Sequence, residues 1–168
     1  MRLTSLFLLL SLVSPVMAEY HPDLLGHSIA KDKIKNPSPE RFSVCFQHTC
    51  AMVEHVSLSA AEWLKVGDFF TPEATSAAEE RRQIAEAIAW LEIAVGSKID
   101  ALDDRGGNLE GFTASGNQLD CVDESTNSTT YLKMMERDGL LRYHKVAPRA
   151  TRARSALFVI GWPHSTAV

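Results

Sequence analysis

The chain has 168 residues, enough for one domain with a single core, and its formal charge of −4 offers no electrostatic footprint for nucleic acid or an acidic membrane surface. With 45% hydrophobic and 23% charged residues, the composition is that of an ordinary soluble globular chain and excludes a low-complexity or collagen-like one. No internal repeat, P-loop, GxSxG, HExxH or CxxC pattern is present.

The first 18 residues stand apart. Arg2 is their only charge, Leu3 to Val13 is almost entirely apolar, and Val16-Met17-Ala18 supplies small or aliphatic residues at the −3 and −1 positions. This reads as a secretory signal peptide cleaved after Ala18, because the apolar run is shorter than the ~20 residues that span a bilayer. The expected location is periplasmic or secreted, with no stable membrane span after cleavage. Residues 19–40 are polar and punctuated by His21-Pro22 and Asn36-Pro37-Ser38-Pro39, an extended leader into a single domain over 41–168.

Export governs the reading of the cysteines. There are three: Cys45, Cys50 and Cys121. Phe42 to Phe46 and Ala51 to Leu58 read as the two arms of a hairpin, and Cys45 and Cys50 flank its loop. Opposed positions across a tight hairpin can meet disulfide geometry, which leaves Cys121 as the odd thiol. Pairing of Cys121 with Cys45 or Cys50 is the alternative.

Ser59 caps a short helix through Phe70. Thr71-Pro72-Glu73 opens a longer one, with proline at the first helical position. Ile84, Ile88, Leu91 and Val95 recur at i, i+4, i+7 and i+11 and mark its core-facing stripe. Glu79, Glu80, Arg81, Arg82 and Glu86 read as its solvated faces, and Gly96 ends or interrupts it. Residues 100–117 form a loop rich in Asp and Gly. A calcium loop starting at Asp100 needs an oxygen ligand where Leu102 stands, so no metal is expected there.

A second long helix begins at Cys121, with Asp120 as N-cap and Asp123 and Glu124 in the first turn, and Gly139 stops it. Val122, Thr126, Thr129, Leu132 and Met135 mark one stripe of this helix. Asn127-Ser128-Thr129 matches a glycosylation sequon but falls inside it. Leu140 to Val146 reads as a strand, Pro148 to Arg154 as a basic connection, Ala156 to Ile160 as a strand, and Gly161-Trp162-Pro163 as a turn into a last strand starting at His164. The expected fold class is α+β: an N-terminal hairpin and helices, then the cysteine-bearing helix packed on an antiparallel sheet. Ending inside an apolar strand suggests a chain truncated at its C-terminus.

A thiol nucleophile needs a base to take its proton, and the order here is a cysteine opening a helix, then strands, then a histidine. Unpaired N–H groups and the positive dipole end at a helix start stabilise a thiolate, the nucleophilic form. The stretch from about Gly116 to Val168, through Cys121, Gly139-Leu140-Leu141 and His164-Ser165-Thr166-Ala167-Val168, resembles the transglutaminase-like and papain-like cysteine enzymes. The resemblance covers about a third of the chain. It implies Cys121 as nucleophile and His164 as general base, without a cofactor, acting on a peptide, protein or amide substrate by acyl transfer. The third residue of that family, an Asp on the strand after the histidine, falls past Val168. Gln118 is the nearest candidate oxyanion donor, and Asp120 or Asp123 could orient His164. Asp120, Asp123 and Glu124 also disfavour a thiolate by like charge. A zinc site using Cys121, His164 and one of His144, Asp123 or Glu124 lacks a compact ligand pair. The alternative from another class is a non-catalytic periplasmic binding or envelope-associated domain on the same scaffold.

Overall fold

The computed structural model of the chain describes residues 33–104, 118–156 and 159–168. The expected signal peptide, most of the expected leader and the glycine-rich part of the 100–117 loop lie outside them. Seven elements follow in order: β1 (Phe42–Phe46), β2 (Met52–Val56), α1 (Ala60–Asp68), α2 (Ala77–Gly96), α3 (Cys121–Arg137), β3 (Ala150–Ala156) and β4 (Val159–Thr166). β1 pairs antiparallel with β2, and β3 with β4, as two separate two-stranded sheets. α3 packs against β1 of one ribbon and β4 of the other. The α+β class and the packing of the cysteine-bearing helix on an antiparallel sheet are as the sequence predicts.

β1 is buried along its whole length, both pleat faces included. Its outer edge is covered by α3 rather than by a third strand. Asn127 substitutes for the missing strand: Cys45 N–H donates to its Oδ1 at 2.7 Å, and its Nδ2 donates to the Cys45 carbonyl at 2.9 Å. One amide side chain thus pairs both backbone groups of a strand residue, which would otherwise be stranded in a dry interface. Asn127 is 1% exposed, so the sequon it heads is inaccessible. The core closes around Phe42, Val66, Leu91, Tyr131, Met134 and Met135, with Phe42 and Tyr131 edge to face at 6.1 Å. Ile84 and Ile88 sit half-buried against it.

α3 buries several hydroxyls, which helix interiors tolerate only when they are satisfied. Thr129 and Thr130 donate back to the carbonyls of Ser125 and Thr126, four residues earlier, at 2.7 and 3.0 Å. The helix ends as the sequence predicts. Gly139 takes φ +74°, Leu140 N–H donates to the Met135 carbonyl and Gly139 N–H to Glu136, a complete Schellman closure.

Several local readings change. α2 starts at Ala77, not at Pro72, because Ser76 accepts Glu79 N–H and the Glu79 carboxylate takes Thr75 N–H and Oγ1 in return. Leu140 to Val146 is not a strand. Three of its backbone N–H groups go instead to Glu80, which is 1% exposed rather than solvated. That carboxylate accepts from Arg142, Tyr143 and His144 N–H and from the His144 ring at 2.7 Å. Burial alone would raise the Glu80 carboxyl, but these donors outweigh it and hold it below the usual range. His144 lies beyond the C-terminal end of α3, a helix length of about 25 Å from Cys121, which takes it out of any zinc site with that thiol.

The expected basic connection is part of β3, and Gly161-Trp162-Pro163 runs inside β4 rather than turning. Arg152 pairs with His164 and Arg154 with Gly161, so the ladder slips between them. Proline has no N–H to give the ladder, and this bulge is where a strand accommodates it. His164 consequently sits near the end of β4, not at the start of a strand. At the other end of the chain, part of the leader is tied to the domain: Ile34 N–H reaches Ser43 Oγ, Leu58 N–H the Pro39 carbonyl, and Arg137 the Pro37 carbonyl.

Replacing Asn127 with Leu leaves the Cys45 N–H and carbonyl buried without partners. The expected cost is about 2–4 kcal/mol, read as a lowered urea midpoint with an unchanged slope. An unchanged midpoint would show that the side chain is not the seam between α3 and β1.

Candidate functional site

The N-terminal turn of α3 carries most of the residues singled out from the sequence. Asp120 caps it: its Oδ1 accepts Val122 and Asp123 N–H, both at 2.9 Å, while the Asp123 carboxylate reaches back to Asp120 N–H at 3.2 Å. This is a reciprocal capping box, with aspartates at both positions. Cys121 is the first helical residue, half-buried, and is the thiol outside the disulfide. Gln118 precedes the cap, its side-chain Nε2 donating to the Asp103 carbonyl at 3.2 Å.

Onto this turn docks the loop between β1 and β2. Cys45 and Cys50 are disulfide-bonded. The bond does not cross the ladder as a matched pair, since Cys45 faces Val53. It closes the loop itself. Gln47, His48, Thr49 and Cys50 all lie in the left-handed region, with φ of 61°, 56°, 54° and 57°. Left-handed backbone costs roughly 1–2 kcal/mol per non-glycine residue, so the run must be held by partners. Gln47 N–H donates to the Gln118 carbonyl, Thr49 N–H to Asp120 Oδ2 and Cys50 N–H to Asp123 Oδ1. Successive N–H groups in such a turn form an anion-binding concavity, and here the anions are the two carboxylates that cap α3.

Asp123 is fully buried in this arrangement. Burial first, then the neighbouring Asp120 charge, push its carboxyl up to about 7. The N–H groups of Asp120, Cys50 and His48 offset only part of that. Asp120 and Asp123 thus serve as caps and as receivers of the disulfide loop.

A groove of about 430 Å³ runs beside the same turn. Ile88, Glu92, Leu102, Asp104, Leu119, Glu124 and Ser128 are among the residues that line it. Cys121, Glu124 and Ser128 are spaced i, i+3 and i+7, on one face of α3. Glu92 is pushed up to about 7 by burial and then by the Glu124 and Asp104 charges. Glu124, at the rim, is raised by partial burial and by Asp104 and Asp120, and His164 pulls it back down. His164 is carried by β4, the strand that packs against α3. It is exposed on β4, while its neighbour Ser165 is buried against Thr151 Oγ1 at 2.9 Å.

The structure gathers Cys121, Asp120, Asp123 and Glu124 in one turn, with Gln118 beside them and His164 on β4, which packs against the same helix. Glu92 is the site residue that the sequence reading passed over. Its signal was faint: a carboxylate between Leu91 and Ile93 on a helix whose core stripe includes Leu91. Comparison with protein-family models, with curated proteins and with solved structures finds no match to this chain.

The buried Asp123 gives stability a definite pH dependence. Folded, it keeps its proton up to about pH 7, and unfolded it releases it near 3.8. Between these values the folded state binds the extra proton, so this contribution is full below about pH 4 and is lost as pH rises through about 7. Asp123→Asn should shrink the fall in urea midpoint between pH 4.5 and 7.5; Glu92, with the same sign, keeps it from vanishing. Equal slopes in the two proteins would place the titration elsewhere.

Proposed function

We propose that this chain is an exported thiol-dependent acyl-transfer enzyme, transglutaminase-like or a peptidase or amidase, acting on peptide or amide substrates. The observation that carries the reading is the packing of β4, the strand that bears His164, against α3, the helix that Cys121 opens. Nucleophilic thiol catalysis needs a base beside the thiol and an acid beside the base, the roles this reading assigns to His164 and Glu124. The groove along that face supplies a place for substrate, with apolar walls from Ile88 and Leu102 and carboxyls at Glu92 and Glu124.

In this reading His164 takes the Cys121 proton, and the sulfur attacks the substrate carbonyl. The tetrahedral oxyanion is held at the α3 N-terminus, with the Cys121 backbone N–H as the first donor. As the C–N bond breaks, His164 returns the proton to the leaving amine, and water or a second amine resolves the thioester. Glu124 is the group best placed to orient the imidazole. Asp120 and Asp123 act one step back, by fixing the helix start. Gln118 contributes by holding the Gln47 N–H through its carbonyl. The Cys45–Cys50 disulfide is in keeping with a periplasmic or secreted location. Among the described residues no helix is long and apolar enough to cross a membrane.

One observation favours the second reading, a non-catalytic binding or envelope-associated domain. The side chains of Gln118, Asp120 and Asp123 are all bonded to backbone groups, as in a purely structural helix cap.

Iodoacetamide labelling of the folded, non-reduced protein near neutral pH separates the two. The enzyme reading expects Cys121 to react faster than a model thiol, with His164→Ala slowing the reaction at least tenfold and Glu124→Gln shifting its pH profile. A Cys121 that is inert while folded, or labelled equally fast without His164, removes the enzyme reading.

A further inference from the structure

The basic run after Pro148 takes no part in the thiol chemistry as described above, yet its first arginine reaches the helix that Cys121 opens. Arg149 Nη1 donates to the Val122 carbonyl at 3.2 Å. Val122 follows Cys121 directly, so the guanidinium lies against the first turn of α3, a turn with a pitch of about 5.4 Å. Ser125, four residues after Cys121, donates to the same carbonyl at 3.2 Å and is buried. The arginine itself is half-buried. Its place in the chain holds it there from the other side. Ala150, the next residue, opens β3 and pairs with Thr166 of β4, and β4 packs against α3. Arg149 and His164 thus come to the helix on one ribbon.

What a cation does at that position follows from the charges around it. α3 sets Asp120, Asp123 and Glu124 in and before its first turn, the adjoining groove adds Glu92 and Asp104, and β4 brings His164. Carboxylates near a thiol disfavour its ionised form, and a cation favours it. A guanidinium stays charged throughout the range in which a thiol titrates, so it acts at every pH where the nucleophile has to form. The Val122 carbonyl takes one of its N–H groups without cancelling its charge. With Cys121 as nucleophile, the reading on which this role rests, we propose that Arg149 is a positioning residue for the thiol chemistry. Fixed on the Val122 carbonyl, its guanidinium sets a permanent positive charge at the first turn of α3 and favours the Cys121 thiolate over the thiol.

The pH profile of iodoacetamide labelling at Cys121 tests this on the folded, non-reduced wild type and on Arg149→Gln, Arg149→Lys and His164→Ala. Arg149→Gln should move the profile up by about one pH unit, a tenfold loss of thiolate on its rising limb. Arg149→Lys keeps the charge and should keep the profile, whereas a role confined to the carbonyl bond moves neither profile. Asp123 titrates at about 7 in the folded wild type, so the variants are read as differences from that profile. Where Arg149→Gln does not fold, the wild type supplies the measurement. At about pH 8.5, above the usual histidine range, its ratio of labelling rates with anionic iodoacetate and neutral iodoacetamide should equal or exceed that of N-acetylcysteinamide. A folded Arg149→Gln protein with the wild-type profile, an Arg149→Lys profile displaced as far as that of Arg149→Gln, or an iodoacetate ratio several-fold below the model thiol's overturns the role of Arg149, and overturns it alone where His164→Ala still slows the labelling. A Cys121 inert in the folded wild type overturns it together with the thiol reading.

Discussion

The docking of a left-handed turn onto a pair of aspartates is the interaction on which the rest of this molecule depends. The run from Gln47 to Cys50 adopts a conformation that each of its residues disfavours. It persists because the disulfide closes it, the Gln118 carbonyl takes one N–H, and the Asp120 and Asp123 carboxylates take others. The same carboxylates cap α3. Strand β1, the hairpin loop and the start of α3 are thereby one unit, and Asn127 extends the seam by a further turn of the helix. Loosening any one of them exposes buried polar groups on the others, which is the condition for cooperative behaviour.

The far side of the molecule repeats this logic. Glu80, on α2, gathers three successive N–H groups of the segment after α3, as Asp120 and Asp123 gather those of the loop after β1. Both are irregular segments that would otherwise bring unsatisfied backbone into the interior. α3 is fixed at its first turn by one carboxylate clamp and just beyond its last turn by the other. Neither segment needs regular structure, because side chains supply the partners that a helix or sheet would have given. The two clamps differ in charge state. Glu80 is held low by four donors, while Asp123 is held high by burial beside Asp120. The Asp120–Asp123 clamp next to Cys121 is therefore the one that responds to pH near neutrality. In that range a protonated Asp123 also removes one of the like charges that the sequence sets against a thiolate.

How much of this could be read from the chain differs residue by residue. Asp120 as cap, Cys121 as first helical residue and Gly139 as terminator follow from neighbours within four positions, and the structure has all three. The pairing of Cys45 with Cys50 likewise follows from closeness in sequence. Glu80 misleads: among Glu79, Arg81 and Arg82 it reads as surface, and only the arrival of residues 142–144 buries it. Asn127 misleads in the opposite way, since a sequon pattern suggests exposure where the side chain is sealed against Cys45. Leu140 to Val146 has strand composition, yet Glu80 takes the N–H groups of Arg142, Tyr143 and His144 before a neighbouring strand can.

The sequence by itself determined the α+β class, the caps, the odd cysteine and the order of Cys121 before His164, because these rest on local propensity and on spacing. Only the tertiary structure decided which carboxylates are buried, which loops they hold, and that β4, which carries His164, packs against α3. It also placed Pro163 inside a bulged strand, with β3 running through what reads as a basic connection. Those outcomes turn on partners tens of residues apart: Cys50 with Asp123, Glu80 with His144, Arg152 with His164. The free energy of such a contact depends on solvent exclusion by the whole fold, and no window of the sequence carries it.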